Sequence, residues 1–151
     1  MKRILVVDGN SIINRAYFGM RPLTTKSGKS THAVYGMLNI ISRQISALMP
    51  DYTAVAFDLK APTFRHQMYS EYKAGRNPTP EDLLSQFPDA KECLKLMGIH
   101  VLELAGYEAD DIQGTVAKLA HTEGITLREA CCDRLGLLSS DRFDEIMHVA
   151  F

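Results

Sequence analysis

Ile4-Leu5-Val6-Val7-Asp8 decides how the rest of the chain is read. Four consecutive apolar residues form a run too short for a helix, which fits a strand buried on both faces, as in parallel sheets. An acid directly after such a strand stands at the carboxyl edge of the sheet, where open α/β folds place their ligands. Ala54-Val55-Ala56-Phe57-Asp58 repeats the arrangement. A third acidic group, Gly106-Tyr107-Glu108-Ala109-Asp110-Asp111, sets three carboxylates within four positions at the start of a predicted helix. The helix dipole favours such acids by only about 0.3–1 kcal/mol each, so a solvated first turn would explain this stretch taken alone. With Asp8 and Asp58 at the same edge, five acids are expected to converge. Convergent carboxylates suit a hard cation, Mg²⁺ or Mn²⁺, whose shell phosphate oxygens can complete.

Outward from the first strand, Gly9-Asn10-Ser11 reads as a turn, with Ser11 as the cap of a short helix carrying Ile12, Ile13, Ala16 and Tyr17. Val34, Met37, Leu38, Ile41, Ile45 and Leu48 recur at the helical period over residues 31–49, and Pro50 closes that helix. A second strand covers residues 53–57. Residues 59–80 are basic and lack a sustained apolar period. A helix over 81–97 ends at Gly98, a third strand covers 99–104, and a helix from about Glu108 carries Ile112, Val116 and Leu119 and stops at Gly124. This alternation predicts an α/β fold built of β-α-β crossovers, with a mainly parallel sheet flanked by helices on both faces. After Gly124 a fourth strand is due, but Arg128 and Glu129 interrupt its apolar run, and residues 147–151 read as one further short strand.

The 151 residues are one domain's worth, and 46% hydrophobic residues suffice for a core. A net charge of −1 excludes a generally basic nucleic-acid binder, yet the basic residues between 60 and 76 contrast locally with the acids. The 3 cysteines, Cys93, Cys131 and Cys132, have no zinc spacing and cannot all pair, which points to a reducing cytoplasm. The first apolar run meets Asp8 too soon for a targeting segment or a membrane span, so no membrane partner is expected.

Ser27-Gly28-Lys29-Ser30-Thr31 lacks the upstream glycine of a phosphate-binding loop, since Leu23 stands there, and Gly28 reads as a turn glycine. The histidines at 32, 66, 100, 121 and 148 are scattered and support neither a metal site nor a catalytic triad. Phe64-Arg65-His66-Gln67-Met68-Tyr69-Ser70-Glu71-Tyr72-Lys73-Ala74-Gly75-Arg76 interleaves cations with aromatics. A solvated loop with packed rings accounts for it, and so does a surface that grips a phosphate backbone and stacks bases. Its place directly after Asp58 would let it overhang the acidic edge.

Taken together, Val7-Asp8-Gly9-Asn10-Ser11 with Arg15, Ala33-Val34-Tyr35-Gly36, Ala56-Phe57-Asp58, Thr63-Phe64-Arg65, Glu71-Tyr72-Lys73-Ala74-Gly75-Arg76 and Gly106-Tyr107-Glu108-Ala109-Asp110-Asp111 closely resemble the amino-terminal 5′-to-3′ exonuclease domain of bacterial DNA polymerase I. That domain belongs with the flap-endonuclease-like nucleases, of resolvase-like or PIN-like fold with a basic arch. The resemblance implies a metal site of Asp8, Asp58, Glu108, Asp110 and Asp111, catalytic arch cations Lys73 and Arg76, and DNA contacts by Arg15, Arg65, Tyr72, Lys73 and Arg76. It also implies hydrolysis of DNA from a 5′ end or flap by two Mg²⁺ or Mn²⁺ ions about 3.5–4 Å apart, which activate a water and stabilise the leaving oxygen. It covers residues 3–124 well.

In Cys131-Cys132-Asp133-Arg134-Leu135 the family's next acidic signature keeps Asp133 as a metal residue but carries leucine in place of the second acid. Residues 125–151 are thus divergent, and the family's carboxy-terminal DNA-clamp half is expected to be missing, with a polymerase module as a separate or absent polypeptide. The rival expectation is a truncated, catalytically impaired DNA-binding or vestigial protein. A small toxin-type ribonuclease shares the acidic parallel-sheet design but has no evident use for the basic segment.

Overall fold

In a computed structural model, the described residues are 3–59, 61–69, 71, 72, 75 and 77–122. Within them the elements run β1 (Ile4–Asp8), α1 (Gly9–Gly19), α2 (His32–Leu48), β2 (Tyr52–Ala56), α3 (Phe64–Met68), α4 (Glu81–Leu84), α5 (Phe87–Leu96), β3 (His100–Leu102) and α6 (Ala109–Thr122). The three strands pair in the order β1-β2-β3, all parallel, with Asp8 opposite Ala56 and Ala56 opposite Leu102. The expected parallel sheet is therefore present, with β2 at its centre.

Side chains alternate across this sheet. Val55 and Phe57 join Ile13, Met37, Ile41, Leu83 and Leu94 in one core, beneath α1, α2 and α5. Ala54, Ala56 and Leu102 join Ala109, Ile112 and Val116 of α6 in a second core. Adjacent positions on a strand point to opposite faces, so the helices cover both faces as the sequence predicts.

The structure corrects four local expectations. Ser11 is not the cap of the first helix: β1 runs straight into α1, and Asp8 caps it by accepting the Ser11 N–H at 2.9 Å. Gly9 makes this direct passage possible, because a Cβ there would lie 2.7 Å from the Phe57 ring and 2.8 Å from Val55. The helix expected over residues 81–97 is broken into α4 and α5. Gln86, fully buried at the break, accepts the Ala33 and Val34 N–H groups at 2.9 and 3.4 Å and donates to the Asp82 carbonyl at 3.1 Å. It satisfies donors that the first turn of α2 would otherwise leave open.

The third strand, expected over 99–104, ends at Leu102, and Glu103 turns to Lys91 Nζ at 2.5 Å. Within the basic segment, α3 forms without a long apolar stripe because His66 Nδ1 accepts the Thr63 N–H at 3.2 Å and lies 2.9 Å from Thr63 Oγ1. The strands and tail expected after Gly124 lie outside the described residues.

Candidate active site

Asp8 ends β1, Asp58 follows β2 by two positions, and Glu108, Asp110 and Asp111 stand at the start of α6, so all five acids reach the carboxyl edge of the sheet. Four of them, Asp8, Asp58, Glu108 and Asp111, are held there by specific contacts. Asp8 Oδ1 caps α1. Asp58 Oδ1 accepts the Ala109 N–H at 2.7 Å, so β2's acid caps the first residue of α6. The Asp58 N–H in turn donates to Asn10 Oδ1 at 3.0 Å, which ties this loop to the start of α1. This role of Asn10 is not legible in the sequence, since its position two residues after Asp8 carries no signal of it.

Glu108, buried, immediately precedes α6, and its N–H donates to Asp111 Oδ2 at 3.0 Å. An acid at the third helical position accepting from the residue before the helix is one half of a capping box. Glu108 Oε2 accepts from the Tyr72 hydroxyl at 3.2 Å and lies 3.5 Å from Arg65 Nη1. Arg65 also grips Asp111 through both guanidinium nitrogens at 2.6 Å each. That hydrogen bond raises the Arg65 pKa above its ordinary value, and the Asp111 and Glu108 charges act in the same direction, so the guanidinium stays charged. Its face lies 4.7 Å from the centre of the Phe64 ring, which packs at 5.7 Å against Tyr107. Asp110 is exposed on the outer side of the first turn.

Two ties fix α6 to the sheet beneath these acids. Gln113 Nε2 donates to the Val6 carbonyl at 3.0 Å, and Ile112 and Val116 pack on Ala54, Ala56 and Leu102. Alanines at the contact let the helix lie close to the strands. The amino-terminal turn of α6 is thereby brought to Asp58.

The donor chemistry fits a hard divalent cation, since the five groups offer carboxylate oxygens and no sulfur or imidazole. Their placement differs from the single cluster that the sequence predicts. Among the described residues no group of three or more acidic, histidine or cysteine side chains is arranged to hold an ion. The acids share an edge, but Asp8 and Asp58 are held by backbone N–H groups and Glu108 and Asp111 by Arg65.

Arg15 is exposed on α1. Tyr72 and Arg65 both reach the acids, so the basic segment does adjoin the acidic edge. Lys73, Arg76 and Asp133 lie outside the described residues.

The family described as 5′-3′ exonuclease, N-terminal resolvase-like domain matches residues 3–141. The thermostable DNA polymerase I of Thermus thermophilus is 46% identical over 144 residues, covering 93% of this chain and 17% of that protein. The DNA polymerase I of Caldicellulosiruptor bescii is 37% identical over 151 residues, covering 99% of this chain and 18% of its own. The chain thus spans under a fifth of the length of these relatives. Among solved structures, the T5 D15 protein co-crystallised with metal ions superposes with a TM-score of 0.61 at 21% identity, covering 78% of this chain and 44% of that one. T5 5′-exonuclease with bound zinc gives 0.59 at 22% identity, covering 78% and 45%.

Proposed function

The chain belongs to the 5′-3′ exonuclease N-terminal resolvase-like domain family, and on that premise we propose that it hydrolyses DNA phosphodiesters from a 5′ end or flap, assisted by divalent metal. The observation that carries this reading is the meeting of two unlike surfaces. The acids at the start of α6 touch the basic segment through Tyr72 on Glu108 and Arg65 on Asp111, beside the strand-end acids Asp8 and Asp58. A polyanion brought to an acidic edge needs cations beside it, and a metal between.

Asp8, Asp58, Glu108 and Asp110 would hold the ions, together with Asp133 from beyond the described residues. The metal, Mg²⁺ or Mn²⁺, would supply an activated water and stabilise the leaving 3′-oxygen during in-line attack. The protein's own part is positional. Asp8 and Asp58 are locked by backbone N–H groups, and Glu108 is kept in place by Tyr72 and Arg65. Lys73 and Arg76 would offset charge on the scissile phosphate, with Tyr72 and Arg15 along the strand's path.

Within DNA replication and repair, such a domain would work beside a polymerase module, in the cytoplasm. Among the described residues no helix is long and apolar enough to cross a membrane. The family match and the relatives do not favour the rival of an impaired or vestigial DNA binder.

The test is cleavage of a 5′-labelled flap or recessed duplex with Mg²⁺ or Mn²⁺. Wild type should release short 5′ products, and Asp8→Ala and Asp110→Ala should release none. Free metal at about 100 times its dissociation constant should also raise stability by roughly 2.7 kcal/mol. No products and a melting temperature indifferent to millimolar Mn²⁺ would overturn the reading.

A further inference from the structure

The resemblance gives Asp111 to the metal and Arg65 to DNA, whereas in the structure each occupies the other. Asp111 Oδ1 accepts from Arg65 Nη2 and Oδ2 from Nη1, both at 2.6 Å, and Oδ2 also accepts the Glu108 N–H at 3.0 Å. The Asp111 backbone carbonyl accepts from Thr115 Oγ1 at 2.7 Å. Both carboxylate oxygens are therefore engaged, in the fork-to-fork geometry that makes charge-assisted hydrogen bonds strong.

The other acids are held more lightly. Asp8 and Asp58 each give one oxygen to one backbone N–H, and Asp110 is exposed. An ion ligated by Asp111 would have to displace a guanidinium fork. One ligated by Asp8, Asp58 or Asp110 would not.

The same fork limits Arg65. Both terminal nitrogens face Asp111, Nη1 also lies 3.5 Å from Glu108 Oε2, and Phe64 covers one face of the group. A phosphate would find the two-pronged fork already committed to Asp111, with only one Nη2 hydrogen and the Nε–H outside these contacts. We infer that Asp111 and Arg65 form one positioning pair, neither an ion ligand nor a phosphate contact, whose task is to set Glu108 at the amino-terminal turn of α6. Arg65 Nη1 acts on its carboxylate and Asp111 Oδ2 on its backbone N–H. This inference rests on the proposed metal chemistry and narrows which acids do that work.

Two residues that act as a unit give non-additive effects. The test is Mn²⁺ titration by calorimetry of the full chain as wild type, Arg65→Gln, Asp111→Asn and the double variant, with Asp110→Asn as the ligand control. The three pair variants should weaken Mn²⁺ binding to the same extent, within the roughly 10–100-fold range seen when outer-shell partners of a metal ligand are removed. The double variant should be no worse than Arg65→Gln.

An Asp111→Asn loss that Arg65→Gln does not share, or losses that multiply in the double variant, would overturn the inference. Where Asp111→Asn alone fails to fold, comparing Arg65→Gln with the double variant decides the matter. Equal affinities support the pair, and a further loss overturns it. In a second readout, Arg65→Gln should leave the salt dependence of single-stranded oligonucleotide binding unchanged. A slope shallower by about 0.7 would restore Arg65 as a phosphate contact. If wild type takes up no Mn²⁺ at all, the metal reading falls and this inference with it. If wild type binds and Asp110→Asn does not, that reading stands whatever the pair variants show.

Discussion

On one face of the central strand stand Val55 and, just past its end, Phe57; on the other stand Ala54 and Ala56. The bulky face meets α1, α2 and α5 in the larger core, and among the described residues the small face meets α6. Both are buried, but they serve different ends. Large side chains on the first face exclude water over a broad area, which is where most hydrophobic stabilisation arises. Small ones on the second leave room for a single helix to approach closely, so that Ala109 can donate to Asp58 at 2.7 Å. The first face holds the molecule together, and the second brings the acids at the start of α6 to Asp58.

If that division is right, truncating Phe57 to alanine should be the most damaging change. It deletes a fully buried ring that packs at 6.1 Å against Phe87 and against Gly9, at a cost of about 3–5 kcal/mol. Urea unfolding would measure it. A cost no larger than that of Val116→Ala on the α6 face would break the comparison.

Enlarging the small face comes next. Ala56→Leu should cost about 1–3 kcal/mol by overpacking and push α6 outward. Metal-dependent cleavage should fall further than stability does. A variant that is destabilised but cleaves at the wild-type rate below its melting temperature would show that α6 need not lie close.

A milder pair uses one chemistry on both faces. Ile41→Val and Ile112→Val each remove one buried methylene at about 0.5–1.5 kcal/mol, and only the second should weaken Mn²⁺ binding. Equal effects on metal binding would deny the faces their separate roles.

The smallest effect concerns pH. Burial lowers the pKa of His100 at the start of β3 below its ordinary value of 6.5. The unfolded chain then takes up a proton before the folded one, so stability should decline as pH falls below about 6.5. A melting temperature followed from pH 8 to 5 should drop less steeply in His100→Gln.

These contrasts also explain what the sequence could tell. Apolar runs of four residues ending in Asp made the strands and the acidic edge readable, and helical spacing made α2 and α6 readable, because these depend on local pattern. Asp8 as a helix cap was hidden because a strand passing straight into a helix needs the close approach of Gly9 to Phe57, a contact 48 residues away in the chain. The break at Gln86 was hidden for the same reason, since its partners are Ala33 and Val34. At the site, the placement of the five acids near the sheet's carboxyl edge is legible in their sequence positions. Their separate partners are not, because the pairing of Arg65 with Asp111 spans 46 residues and both residues have plausible tasks of their own. Thr63 with His66 three positions on is a local signal that is hard to read, because histidine stands where a capping box usually carries Glu or Gln.

The bond from Ala109 to Asp58 closes a loop of 51 residues, and that from Gln113 to Val6 one of 107. Contacts of such range form late, since chain closure must precede any gain from them. On a ribosome adding about 5–20 residues per second, Asp8 and Asp58 emerge seconds ahead of the helix that organises them. The nascent polypeptide thus carries its acids unassembled through that interval, and its own length acts as the timer for their assembly.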